Sequence, residues 1–266
     1  MDTEQIRIKD SVRNLVEFCL KDGDLDNRFT TSARAVEGTR AHQKLQADNL
    51  EIYDNYKSEV YLTYDFVVDN ITLSIEGRAD GIIVENNKII IEEIKSTYKK
   101  YSYIDDLNEL HWAQAKVYGF IYCSQNDVDE VTIRLSYVQL DDNEVKSFEK
   151  RFLFIELKKF IDKIINYYIN FAKLIYENKK KRDETIKSVV FPFEEYREGQ
   201  RRLINIVYNT IKEQEILFAQ APTGIGKTIS TIFPAVKAIG EGKGKRIIYL
   251  TSKVVNREVA NEAITN

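Results

Sequence analysis

Two acids and a lysine carry the first chemical signal in this chain: Asp80 within Gly77-Arg78-Ala79-Asp80-Gly81, and Glu93 and Lys95 within Glu93-Ile94-Lys95. Both stretches lie in runs rich in Val, Ile and Thr, which predict strands over Ile71–Glu85 and Lys88–Lys95 joined by a two-residue turn at Asn86-Asn87. That turn sets Glu85 opposite Lys88, and counting back sets Asp80 opposite Glu93. Side chains alternate along a strand, so Lys95 shares the face of the two acids, Ile90 and Ile94 point the other way, and Ile82 opposite Ile91 forms an apolar floor. Glu92 is a second candidate acid, but the same register turns it away from Asp80. Like charges across a ladder repel, and Mg²⁺ or Mn²⁺, which prefer carboxylate oxygens, would offset that repulsion. A cation held there could polarise a phosphate and acidify a bound water, with Lys95 orienting the water or stabilising the developing charge.

A second constellation lies near the C-terminus. Ala221-Pro222-Thr223-Gly224-Ile225-Gly226-Lys227-Thr228 fits the phosphate-loop pattern with alanine in place of its first glycine, between a predicted strand at Ile216-Leu217-Phe218 and a predicted helix. Backbone amides from Thr223 to Gly226 and the helix N-terminus would cradle the phosphates of ATP. Lys227 would reach the β- and γ-phosphates and Thr228 would hold Mg²⁺. After Thr228 the only acids are Glu241, Glu258 and Glu262, none in the apolar-run, Asp-Glu setting that would hold Mg²⁺ and water for hydrolysis. The sequence therefore predicts ATP binding without efficient hydrolysis by this chain alone, as expected of the front part of a longer motor or of a truncated gene product.

The ordered set Gly38-x-x-x-His42, Gly77-Arg78-Ala79-Asp80-Gly81, Glu93-Ile94-Lys95 and Gln114-x-x-x-Tyr118 resembles the RecB-like branch of the PD-(D/E)xK nucleases, over roughly residues 8 to 140. The resemblance implies a restriction-endonuclease-like α+β fold, metal binding by His42, Asp80, Glu93 and the Ile94 carbonyl, and a catalytic Lys95. It further implies that Gln114 and Tyr118 line the DNA side of the site. Upstream of the phosphate loop, Tyr196-Arg197-Glu198-Gly199-Gln200 resembles the Q-motif region of superfamily 2 helicases of the DinG/XPD type. There Arg197 and Gln200 would serve ATP, with Gln200 reading the adenine edge. Ile247-Ile248-Tyr249-Leu250-Thr251-Ser252 resembles motif Ia, which touches single-stranded DNA in those motors. Together they imply a metal-dependent DNA nuclease coupled to an ATP-dependent helicase acting on single-stranded or branched DNA. The alternative is a degenerate nuclease fold that only grips DNA for the motor.

Several elements must position these groups. Val12, Leu15, Val16, Cys19 and Leu20 at helical spacing behind Ser11 predict a capped amphipathic helix, and a short helix over about 38–46 would carry His42. A strand over Glu59–Val68 would complete a three-stranded antiparallel meander. A helix over Ile104–Cys123 carries Gln114, Tyr118 and His111, the last read as structural or as a peripheral DNA contact. Strands near Val131–Leu140 and Val145–Phe154 follow. A helical segment over 155–182 then ends in the basic run Lys179 to Arg182, where a boundary separates a nuclease-like domain, 1–187, from the start of an α/β RecA-like domain, 188–266, with a further strand at Arg246–Leu250.

Composition excludes some classes. With 43% hydrophobic residues in regular patterns, 11 glycines and 3 prolines, the chain is globular rather than disordered or repetitive. No run approaches a membrane span and no secretory leader precedes the first helix, which predicts a cytoplasmic protein without a membrane partner. Cys19 and Cys123 are too few for a four-cysteine iron–sulfur site such as several RecB-like nucleases carry. The net charge of −3 does not argue against DNA, because clustered carboxylates belong to a metal-dependent site.

Overall fold

The computed structural model describes residues 5–22, 32–85, 88–251 and 254–265, in two compact units, Met1–Lys173 and Leu174–Asn266. The first is built on a six-stranded mixed sheet. Its strands are β1 (Ile6–Ser11), β2 (Tyr56–Val68), β3 (Ile71–Glu85), β4 (Lys88–Thr97), β5 (Glu130–Gln139) and β6 (Val145–Leu153), in the order β1-β3-β4-β5-β6, with β2 also paired to β3. The antiparallel β2, β3 and β4 form as their alternation predicts. The sequence reading did not anticipate β1, whose charged residues alternate with Ile6 and Ile8, nor its parallel pairing with β3. The Asn86-Asn87 turn lies outside the described residues.

Helices cover both faces of this sheet. They are α1 (Val12–Leu20), α2 (Ser32–Ile52), α3 (Glu109–Asn126) and the long α4 (Phe154–Ser188), within which the two units divide. Ser11 accepts the Asn14 amide and caps α1, and Asn108 accepts the amides of Leu110 and His111 and caps α3. One face of the sheet, with Ile82, Ile91, Ile133 and Leu135, packs in one core with Leu15 of α1, Tyr118 of α3 and Ile161 of α4. The other face, with Ile94 and Val138, meets Ala41 and Leu45 of α2. Because α3 crosses between β4 and β5, those strands pair in parallel, and helices interleave with strands in an α/β order rather than segregating as the expected α+β class would have them. Among the described residues no helix is long and apolar enough to cross a membrane.

The 38–46 helix is in fact the middle of the 21-residue α2, and its extra length has a polar reason. Asn49 donates to the buried Glu92 carboxylate at 2.8 Å, Ser136 at 2.6 Å and Tyr56 at 3.3 Å. Glu92, only 1% exposed, thus ties α2, β2 and β5 to β4. Such a group is tolerated in a core only while every lone pair is met.

In the second unit, α5 (Gln200–Glu213), α6 (Lys227–Gly240) and α7 (Val254–Thr265) are helical. The two expected strands, at Ile216-Leu217-Phe218 and Arg246–Leu250, are not formed. A strand exists through its ladder, and among the described residues neither segment has one. Their apolar side chains stand open, with Phe218 94% and Leu250 88% exposed. The basic run Lys179 to Arg182 does not end the helix as expected but lies within α4, which continues to Ser188.

The Glu92 network sets an expectation for stability. Glu92→Ala strands three buried partners and should cost the first unit roughly 3–5 kcal/mol, whereas Glu92→Gln, which can still accept from Asn49 and meet Ser136, should cost under about 2 kcal/mol. Urea unfolding followed through the single tryptophan, Trp112 in the core of that unit, measures both.

Candidate functional site

The antiparallel pairing of β3 with β4 follows the expected register through Ile82↔Ile91 and Gly81↔Glu92 and ends there. Asp80 and Glu93 are therefore not a ladder pair, a correction to the sequence reading. The strands fork, and the Asp80 carboxylate accepts the Ile94 amide at 2.7 Å in place of a backbone carbonyl. Ile94 itself belongs to the parallel ladder with β5, opposite Ser136, while Glu93 and Lys95 stand opposite Leu135 and Tyr137. Glu93 is 3% exposed, and its Oε1 lies 2.5 Å from the Lys95 ammonium. The three groups converge on one face, as alternation predicts.

Burial governs their electrostatics. It pushes the Asp80 carboxyl up to about 6, against the Ile94 amide and the Lys95 charge, with Glu59 and Glu92 adding to the rise. It pushes Glu93 up to about 7, against Lys95, with Asp80 adding. His42 is held below its ordinary value by burial and by the Lys95 charge, while Glu93 and Glu59 pull it back. Two desolvated carboxylates with one lysine between them suit a hard divalent cation, which would supply the positive charge the site lacks. Among the described residues, however, no group of three His, Cys, Asp or Glu side chains forms a metal-holding cluster. Asp80 and Glu93 are the buried carboxylates that could hold a cation there, with His42 in electrostatic reach rather than in a closed shell.

α2 is clamped over this fork by residues that the sequence reading passed over. Gln46, one turn after His42, donates to the Asp80 carbonyl at 2.9 Å and to the Glu59 carboxylate at 3.1 Å. Asn49, on the same stripe, holds Glu92. Glu59 lies across β2 from Asp80, between the pairs Ser58↔Gly81 and Val60↔Ala79, with its backbone in the left-handed region at φ 52°. A polar stripe at positions 42, 46 and 49 of an otherwise amphipathic helix was the available signal. On the opposite face Tyr118 is buried under Gly77, where a Cβ would stand 2.5 Å from its hydroxyl. Burial raises that hydroxyl most, followed by the charges of Glu93 and Asp80, which places Tyr118 in electrostatic reach of the two acids. Gln114 is half-buried one turn earlier on α3. His111 bonds to the Tyr137 hydroxyl at 2.9 Å, and burial with the Lys95 charge lowers it to about 4, so it is neutral at pH 7.

In the second unit the phosphate loop leads into α6 through Gly224 at φ 87° and Gly226 at φ 80°, conformations that favour glycine. Lys227 rests on its own loop, donating to the Ala221 and Pro222 carbonyls at 3.0 Å each. Gln200 is buried, accepts the Arg197 amide at 3.0 Å and presses on Gly226, where a Cβ would stand 2.4 Å from its amide nitrogen. The Arg197 guanidinium donates to the Gly224 carbonyl. Arg197, Gln200, Gly226 and Thr228 line one cleft of about 400 Å³. Thr223, Gly224, Ile225 and Lys227 lie on the loop outside that lining.

The carboxylates make a signed prediction. Both titrate in the folded chain above their unfolded values, so between about pH 4 and pH 7 the folded state binds more protons and the metal-free unit loses stability as pH rises. His42 and His111, held low, act in the opposite sense as pH falls below about 6.5. The comparison is therefore with Asp80→Asn/Glu93→Gln. That variant should melt above the parent at about pH 7.5, the gap shrinking toward about pH 5. Millimolar Mn²⁺ should raise the melting temperature of the parent alone.

Comparison with known proteins reaches the second unit. Residues 197–263 match the DEAD/DEAH box helicase family. The "Probable ATP-dependent helicase MJ0942" of Methanocaldococcus jannaschii is 36% identical over 64 residues, which are 24% of this chain and 10% of that protein, so the match spans about a tenth of its length. The solved structure of SSO0001 aligns over 63% of this chain and 78% of its own at 20% identity, with a TM-score of 0.38, a likeness too loose to assign a fold. The C-terminal segment of this chain is thus related to ATP-dependent helicases of the DEAD/DEAH type.

Proposed function

We propose that this chain is part of an ATP-driven DNA helicase whose first unit is a metal-dependent nuclease of the PD-(D/E)xK kind. The observation that carries the nuclease reading is the fork, where Asp80, Glu93 and Lys95 converge and both acids are held protonated more readily than free carboxyls. Mg²⁺ or Mn²⁺ held by Asp80, Glu93 and the Ile94 carbonyl would polarise a scissile phosphate and acidify water. Lys95, kept near the acids by Glu93, would orient the attacking water and stabilise the charge that develops as the P–O bond breaks. Tyr118 and Gln114 would border the DNA strand from α3. The phosphate loop, Arg197 and Gln200 support ATP binding in the 400 Å³ cleft, a volume in the range of nucleotide-sized ligands.

A second reading keeps the helicase and takes the first unit as a module that grips DNA without cutting it. Two observations favour it: the family match covers the motor segment, and no three-residue metal cluster stands among the described residues. Cleavage of labelled single- and double-stranded DNA separates the two. Metal-dependent cutting should fall by at least about 100-fold in both Lys95→Ala and Asp80→Ala. A parent that binds DNA but cuts neither substrate in Mg²⁺ or Mn²⁺ establishes the gripping module instead.

The motor segment has its own test. Lys227→Ala should weaken binding of a fluorescent ATP analogue by at least about 10-fold. Gly226→Ala should do the same, because its φ of 80° and its contact with Gln200 leave no room for a Cβ. Unchanged affinity in both would remove ATP from the assignment.

A further inference from the structure

Between β4 and α3 the chain reads Tyr98-Lys99-Lys100-Tyr101-Ser102-Tyr103, a segment the fork does not use. It begins three residues after Lys95. Tyr103 is 71% exposed and Tyr101 44%. Single exposed aromatics are ordinary on protein surfaces. Here Lys99 and Lys100 directly precede them, and their backbone is fixed. Lys146 of β6 donates to the carbonyls of Ile104 at 2.8 Å and Tyr101 at 3.3 Å, and its ammonium stands 5.0 Å from the Tyr101 ring centre. Ile104, 3% exposed, plugs the end of the segment into the core. The rings are therefore presented in place rather than on a loose loop, which removes much of the ordering cost of binding.

The nearby acids are already matched. Asp105 lies 3.6 Å from Lys99 and accepts the Leu107 amide, Asp106 pairs with Lys150 at 2.6 Å, and Glu37 accepts from Tyr98. Lys100 remains an exposed cation beside the rings. Lys99 of the segment borders a cleft of about 280 Å³ that Lys95, His111 and Tyr137 also line.

We propose that this segment is a stacking platform for single-stranded DNA at the mouth of the fork. Tyr103, with Tyr101 beside it, takes the faces of bases. Lys100 takes their phosphates, and the cleft that Lys99 borders leads the backbone toward Lys95. Aromatic faces beside lysines are what an unpaired strand requires, since every base offers a π-face while a duplex hides its own. The proposal rests on the reading of the first unit as DNA-acting and names the strand form it engages.

The test is anisotropy of a fluorescent oligodeoxythymidine with the full chain in EDTA, which prevents cutting, joined to photo-crosslinking of the same strand carrying 5-iododeoxyuridine. Tyr103→Ala should weaken binding about 5- to 100-fold, while Tyr103→Trp, which still stacks, stays close to the parent. Lys100→Gln should lower the slope of log affinity against log salt by about 0.7. Crosslinks should map to Tyr101 or Tyr103. A Tyr103→Ala protein that binds as the parent does, with crosslinks only beyond residue 187, overturns the platform and leaves the nuclease reading standing. A parent that binds neither single strands nor duplex overturns both.

Discussion

One hydrogen bond organises the first unit: the Ile94 amide gives its proton to the side chain of Asp80 instead of to the backbone of β3. In a continued ladder that amide would face a carbonyl, and the two strands would stay parallel to one another's edge. Here the carboxylate takes the place of the next rung and β3 and β4 part, while β4 keeps its pairing with β5 on its other edge through Thr97. The parting creates the space into which Glu93 and Lys95 project, and it exposes the Asp80 carbonyl that Gln46 holds. A carboxylate that is both structural acceptor and candidate metal donor cannot be replaced by a residue that serves only one of these ends.

The two faces of β4 then carry opposite solutions to the same problem, a buried glutamate. Glu92 accepts from Asn49, Ser136 and Tyr56 and has the Arg134 guanidinium 3.9 Å away, so its charge is met within the fold by three dipoles and a cation. Glu93, one residue on, has Lys95 and a neighbouring carboxylate, so its environment is open to further positive charge. Adjacent positions of identical type are thus set in different electrostatic surroundings by what the flanking elements present.

Much of this was legible in the sequence, and the failures have local causes. Period-two patterning located β2, β3 and β4, and alternation correctly put Asp80, Glu93 and Lys95 on one face and Glu92 on the other. Counting from the turn gave the register through Gly81↔Glu92, but pairing rules carry no information about where a ladder stops, and it stops one rung before the acids. β1 was missed because its apolar residues are two among charges, and its partner lies some sixty-five positions away. The clamp of Gln46 and Asn49 was missed because polar residues on a helix are ordinarily its solvent face. In the second unit the glycines and the lysine were readable as a motif, whereas Ile216-Leu217-Phe218 and Arg246–Leu250 have strand composition without the neighbours that would make them strands.

The resting position of Lys227 bears on what nucleotide binding would report. Its ammonium already has two carbonyl acceptors, from Ala221 and Pro222, so a phosphate does not meet a bare cation but competes for an occupied one. The free energy of capture is then the difference between two sets of hydrogen bonds. A weakly charged ligand gains little by the exchange, while a polyphosphate gains with each added negative oxygen. If the loop holds a nucleotide, its own carbonyls set a threshold that would make the segment more selective for the number of phosphates than its affinity alone would suggest.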